Sequence, residues 1–81
     1  MGRDPKYGRV ELERGDIGND EPVMVFRAQD RLLPLVIQSY WELCRDAGSP
    51  QAHLDGLDAF RREIEDWQAG HYTKTPGAPR T

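Results

Sequence analysis

The residues best suited to catalysis in this chain are one cysteine and two histidines. Cys44 lies among apolar residues of a predicted helix, where a cysteine usually behaves as a small buried hydrophobe. His53 and His71 fall near opposite ends of a second predicted helix, which is too great a separation for one metal or catalytic site. Phosphate-binding and metalloprotease motifs are absent from the sequence. We therefore expect no enzyme activity, no catalytic residue, no metal and no cofactor.

Arginines are the next candidates for chemistry. Arg61 falls inside the apolar stripe of the second predicted helix, where a guanidinium must reach solvent or find a partner. We predict a structural role for it, in which Asp30 either caps the first helix or pairs with Arg61. The alternative is a small-ligand site, for instance for a nucleotide signal, in which Arg27, Arg31 and Arg61 surround an inter-subunit pocket.

The composition restricts the class of protein. The chain has 81 residues and a net charge of −3, which argues against general affinity for nucleic acid. It has no apolar run of membrane-spanning length and no apolar segment like that of a secretory signal near its start. A single cysteine allows no intrachain disulfide, so we expect a cytoplasmic protein. A domain this small usually needs an additional source of stability, which binding to a partner or self-association would supply.

The pattern along the chain predicts a mainly α fold. Residues 1–6 and 71–81 are polar and are predicted to be disordered tails. Between them, residues 7–70 are predicted to form a single domain. An arm at 7–28 alternates weakly and then becomes apolar, which favours an extended or short β structure. Helices are predicted at about 33–47 and 50–69, and the short link between them predicts an antiparallel two-helix hairpin.

Helical periodicity predicts which faces of the helices meet. Two stripes recur every three or four residues and should form the core. The first contains Leu33, Val36, Ile37, Tyr40, Cys44 and Ala47, and the second contains Leu54, Leu57, Phe60, Ile64 and Trp67. The first helix carries further apolar residues outside its stripe, which either the arm or a partner must cover. These are the predicted interaction residues Leu32, Leu35, Trp41 and Leu43.

One segment suggests a family. At residues 20–32 an acidic, proline-containing stretch leads into an apolar strand, and an Arg-x-Gln-Asp box formed by Arg27, Gln29 and Asp30 follows. Trp67 and Gln68 form a Trp-Gln pair on the second helix. In these features the chain resembles a family of small uncharacterised phage proteins, chiefly from actinobacterial hosts, although Ala28 stands where glycine is expected. The resemblance implies a phage accessory protein and no particular chemistry.

Two functions therefore remain open. The leading hypothesis is a non-catalytic protein that binds a host or phage protein, or a second copy of itself, through the first helix. The alternative is a protein that binds or sequesters a small ligand. Neither hypothesis involves nucleic acid or a membrane.

Overall fold

Two helices and a small three-stranded sheet form the fold in the computed structural model, which describes residues 1–77. The helices are α1 at Leu33–Asp46 and α2 at Gln51–Ala69. The strands are β1 at Gly2–Asp4, β2 at Gly8–Val10 and β3 at Glu21–Pro22. Two helices were predicted and are confirmed. They make up less than half of the chain, however, so the mainly α class describes the fold only in part.

The helix ends follow from their local sequence. Pro34 lies in the first turn of α1, where its missing N–H costs no helical hydrogen bond. Gly48 has a φ of +86°, a left-handed conformation that glycine adopts without strain, and it follows the end of α1. The N-caps are Leu32 and Pro50, and neither makes a side-chain capping bond. The side chain of Asp30 therefore does not cap α1, contrary to one of the predicted roles.

The core is small and lies between the helices and the end of the arm. Leu33 and Ile37 of α1 pack with Ile64 of α2 in one buried cluster. Ala28 from the arm and Leu57 from α2 pack against this cluster and are partly buried. Burial of so few large side chains leaves a thin margin of stability.

The sheet is built around β1, which is its central strand. β1 pairs antiparallel with β2 on one side and parallel with β3 on the other. The turn from β1 to β2 has three residues and is followed by Gly8 at a φ of +82°, a common arrangement in tight hairpins. Within the predicted arm at 7–28, the strands are confined to Gly8–Val10 and Glu21–Pro22, and the apolar segment 23–27 lies outside them.

The carboxylate of Asp4 joins the hairpin to the following segment. Its side chain is 4% exposed, and its Oδ1 accepts hydrogen bonds from the backbone N–H groups of Lys6 and Tyr7, both at 2.7 Å. Its Oδ2 accepts one from Val25 N–H at 2.6 Å. Burial raises the pKa of Asp4, but the hydrogen bonds from Tyr7, Val25 and Lys6 outweigh it, so the pKa lies below its ordinary value.

Both predicted tails contribute to the structure. Residues 1–6 contain β1, because backbone pairing and the Asp4 bonds compensate for the lack of apolar residues there. At the other end, Lys74 N–H donates to Gln29 O and Arg31 N–H donates to Lys74 O, each at 2.9 Å. The predicted disordered tails thus make regular backbone contacts at Gly2–Asp4 and at Lys74, and the part of the prediction that concerns residues 78–81 lies outside the described residues.

Among residues 1–77, neither helix combines the length and apolar character needed to cross a membrane.

The ionised form of Asp4 should stabilise the fold. Because its pKa is depressed in the folded state, its contribution is present above the unfolded value near 3.8 and is lost as the pH falls through the folded value. We expect Asp4→Asn to lower the melting temperature at pH 7. The melting temperatures of Asp4→Asn and wild type should converge as the pH falls through the lowered pKa of Asp4, because the carboxylate is then protonated in both states.

The matched control is Asp16→Asn, since Asp16 is exposed and its carboxylate accepts no hydrogen bond within residues 1–77. Thermal unfolding followed by circular dichroism between pH 2.5 and pH 7 measures both effects. Equal pH profiles for the two variants would contradict the role given to Asp4.

Candidate interaction surface

The outward side of α1 carries a continuous apolar surface. Its side chains recur at intervals of three and four residues, which places them on one side of a helix. Leu35 is 67% exposed and Leu43 is 66% exposed. Together with their neighbours they line a shallow groove, hereafter the α1 groove, formed by Leu32, Leu35, Val36, Ser39, Tyr40 and Leu43. No charged side chain lines it, so the groove offers contact area and little polar specificity.

Three of the four predicted interaction residues lie in this groove, namely Leu32, Leu35 and Leu43. The fourth, Trp41, lies elsewhere, whereas Val36 and Tyr40 are exposed in the groove although they were predicted in the core. The error has a simple geometric cause. The buried side of α1 is centred on Leu33, Ile37 and Cys44, and a rotation of about 100° per residue places Val36 and Tyr40 at its edge.

Trp41 contacts α2 instead of facing outward. Its indole Nε1–H donates a hydrogen bond to the carbonyl oxygen of Leu54 at 3.1 Å. The guanidinium of Arg45 lies 5.2 Å from the centre of the indole ring and covers one side of it. The side chain is half-buried, so its role in the structure is to join the helices.

Two aromatic residues predicted in the core of α2 are instead partly open to solvent. Phe60 is 51% exposed and Trp67 is 38% exposed. With Phe26 and Ala28 they line a second, smaller groove where the arm meets α2. The indole of Trp67 stacks on the ring of His71, with 3.9 Å between ring centres. The prediction that Phe60 and Trp67 are buried anchors is therefore wrong, because the arm covers only part of this side.

The predicted ion pair between Asp30 and Arg61 is absent, since both side chains have other partners. Arg61 binds Asp58 and Glu65 on its own helix, at 2.6 and 2.7 Å. The hydrogen bond from Arg61 lowers the pKa of Asp58, and the pKa of Arg61 is raised in turn. The carboxylate of Asp30 accepts the Leu32 N–H at 2.8 Å, which forms a turn just before α1.

The Arg-x-Gln-Asp box is held by main-chain contacts. The side-chain amide of Gln68 donates to the carbonyl oxygens of Ala28 and Asp30, at 3.0 and 2.8 Å. Gln29 contributes its own carbonyl to Lys74. The contact between the box and Gln68 was not foreseen, although both were noted as features of one sequence pattern.

The three arginines of the predicted ligand site have separate environments. Arg31 donates to the carbonyl oxygen of Thr73 at 3.4 Å, and Arg61 is engaged on α2. Arg27 lines a cavity, and its guanidinium lies 5.9 Å from the centre of the Tyr7 ring. The structure therefore does not assemble the predicted set within one chain.

The cavity beside Arg27 is a different site from the predicted one. It has a volume of about 110 Å³ and lies between the β1–β2 turn, the box and residues 74–76. Lys6 and Lys74 also line it, and within residues 1–77 neither they nor Arg27 form an ion pair. The carboxylates of Asp4 and Asp30 line it as well, so three cationic side chains face two acidic ones and the lining keeps a net positive charge that fits an anionic group. Within the same described residues, no group of three potential metal ligands comes together.

A comparison of the chain with protein-family models, curated protein sequences and solved structures found no match. The resemblance to small phage proteins therefore stays a prediction, and the function must be argued from the surfaces described above.

Trp41 and Leu35 should respond differently to truncation. Trp41→Ala removes a half-buried indole and its hydrogen bond to Leu54, and should destabilise the protein by about 2 kcal/mol or more. Leu35→Ala removes a largely exposed side chain and should cost less than about 1 kcal/mol. Urea denaturation of both variants measures the difference. Equal losses would contradict the assignment of Trp41 to the contact between helices.

Proposed function

We propose that this chain is a non-catalytic interaction protein that binds a partner protein through the α1 groove. The observation that carries the proposal is the exposure of five large apolar side chains along one side of a single helix, while the core beneath them is small. Contiguous apolar surface of this kind costs solubility and is characteristic of binding sites. A partner with an apolar helix would fit the groove, since the spacing of its side chains matches helix-in-groove recognition.

The proposal extends to the arrangement of the helices, the origin of the protein and its location. We propose that α1 and α2 pack as an antiparallel hairpin, because the residues linking them are few and Trp41 contacts Leu54, while Leu33 meets Ile64 farther from the link. We propose that the protein is a phage accessory protein and that its partner is a host or phage protein, on the resemblance alone. On the same resemblance we propose that it acts in the host cytoplasm.

Polar substitution within the α1 groove tests the proposal. Leu35→Glu and Leu43→Glu should each leave the free energy of unfolding within about 1 kcal/mol of wild type, because both side chains are already exposed. Each should weaken partner binding by about 30-fold or more, the effect expected when a charge enters the centre of an apolar contact.

The partner would be captured from a lysate of phage-infected cells, identified by mass spectrometry, purified and titrated by calorimetry. The matched control is Leu12→Glu, the same substitution at another half-exposed leucine outside the groove. Unchanged affinity in both groove variants, with folding verified by circular dichroism, would contradict the proposal.

The cationic cavity supports a second candidate function, the binding of a small anion. Its volume of about 110 Å³ is well below the roughly 300–1,000 Å³ typical of ligand pockets. A phosphate or carboxylate group fits this volume, whereas a whole nucleotide does not. In this second proposal, Arg27, Lys6 and Lys74 would bind the anion next to the ring of Tyr7.

Titration with inorganic phosphate, followed by amide NMR shifts, tests this candidate. We expect saturable shifts at residues 4–7, 24–30 and 74–76, and we expect Arg27→Gln to weaken binding by about tenfold through loss of a charge-assisted contact. Arg14→Gln, at an exposed arginine outside the cavity, is the control. Shifts that are linear in phosphate and equal in both variants would contradict an anion site.

A further inference from the structure

We infer that the partner bound in the α1 groove is a second copy of this chain, with the two α1 helices crossing in an antiparallel pair about Ser39. This inference rests on the proposed function, since it names the partner of the same groove.

Two leucines of the groove are placed symmetrically about its smallest residue. Ser39 lies at its centre, with Leu35 four residues before it and Leu43 four residues after it. A two-fold axis at Ser39 brings Leu35 of each copy against Leu43 of the other, so that one surface is complementary to itself. Ridges of residues four apart interdigitate in the commonest class of helix packing, and a small side chain at the crossing point permits close approach of the helices.

The charges at the two ends of the groove select the antiparallel direction. Arg31 lies just before α1, and Asp46 is the last residue of α1. Asp46 follows Ser39 by seven residues, close to two helical turns, and so lies on the same side of the helix. In an antiparallel pair Arg31 of each copy is next to Asp46 of the other, whereas a parallel pair would place like charges together.

Both of these groups are accessible for such contacts. Arg31 and Asp46 are exposed, and within residues 1–77 Arg31 makes no ion pair; its guanidinium donates one long hydrogen bond, at 3.4 Å, to the carbonyl oxygen of Thr73. The carboxylate of Asp46 pairs with Arg45, its neighbour in the same helix, at 3.1 Å. An exposed pair of this kind is weak and is readily rearranged or shared with a second cation.

The area of the groove sets the expected strength. Five large apolar side chains from each copy form a smaller contact than a standard specific interface, which buries about 800 Å² per partner. A dimer of this size should form in the micromolar range and depend on protein concentration. Self-association would also supply the additional burial that a domain with so small a core lacks.

A charge-swap experiment on the full chain tests the arrangement by sedimentation velocity at about 1–500 μM, a range set by the expected micromolar affinity. Arg31→Glu and Asp46→Arg should each raise the dimer dissociation constant by about tenfold, because two attractive contacts become repulsive in every symmetric dimer. A 1:1 mixture of the two variants should restore dimers of near wild-type strength, since each contact then joins opposite charges again.

Neither substitution should harm folding, since an acidic residue near the start of a helix and a basic residue near its end both suit the helix dipole. The control pair is Arg14→Glu and Asp66→Arg, which changes the same charges at exposed residues outside the groove. Mixing the control variants should have no effect on the dissociation constant. This comparison separates specific pairing from general attraction between chains of different net charge.

Three results of the sedimentation experiments would overturn the inference. A monomer at every concentration would overturn self-association and leave the proposed function to its own test with the captured partner. A dimer that neither single variant weakens, or that the mixture does not restore, would overturn the antiparallel pairing about Ser39. A dimer that survives Leu35→Glu would show that the copies associate through another surface and would also overturn the inference.

Discussion

The side-chain amide of Gln68 makes the contact on which the arrangement of this small protein depends. Its two hydrogen bonds join the end of α2 to the carbonyl oxygens of Ala28 and Asp30, immediately before α1. The arm is thereby held against the helices with little apolar burial of its own, since Ala28, a small and partly buried residue, is its contact with the central cluster. Amide bonds to backbone acceptors compensate here for a core that is too small to order the arm by hydrophobic contact.

Because the arm is held at this position, one side of α1 is left uncovered. The helix uses Leu33, Ile37 and Cys44 for the fold and presents Leu35 and Leu43 to solvent. A longer or more apolar arm could have covered both sides. The division of α1 into a structural side and an exposed side is thus a consequence of how the arm is attached, and it is the physical basis of both the proposed interaction and the inferred self-association.

The parts of the fold that depend on local signals could be predicted from the sequence. Pro34, Gly48 and the apolar periodicity were enough to predict two helices, and the surplus of leucines on α1 indicated an exposed side. The rotation of α1 about its own axis could not be predicted, because a stripe this wide does not reveal which of its edges faces α2. Trp41 was accordingly predicted on the exposed side but contacts α2, whereas Tyr40 was predicted in the core but is exposed.

Contacts between distant segments could not be predicted, since they are made by backbone groups that no side-chain pattern encodes. The pairing of β1 with β3 and the bridge from Asp30 to Lys74 are of this kind. Asp4 offered a usable signal, since an Asp-Pro pair with glycine four residues after the aspartate favours a tight turn in which the carboxylate accepts backbone N–H groups. The hydrogen bond to Val25 had no such signal.

The bridge at Lys74 has a consequence for motion within the molecule. It ties the residues after α2 to Gln29 and Arg31, next to the carbonyls that Gln68 binds. The end of α2 cannot fray without loosening the box, and the box cannot leave the helices without freeing Lys74. The three segments therefore form one cooperative unit of local unfolding. The protected amide hydrogens of all three should exchange with solvent at the same rate.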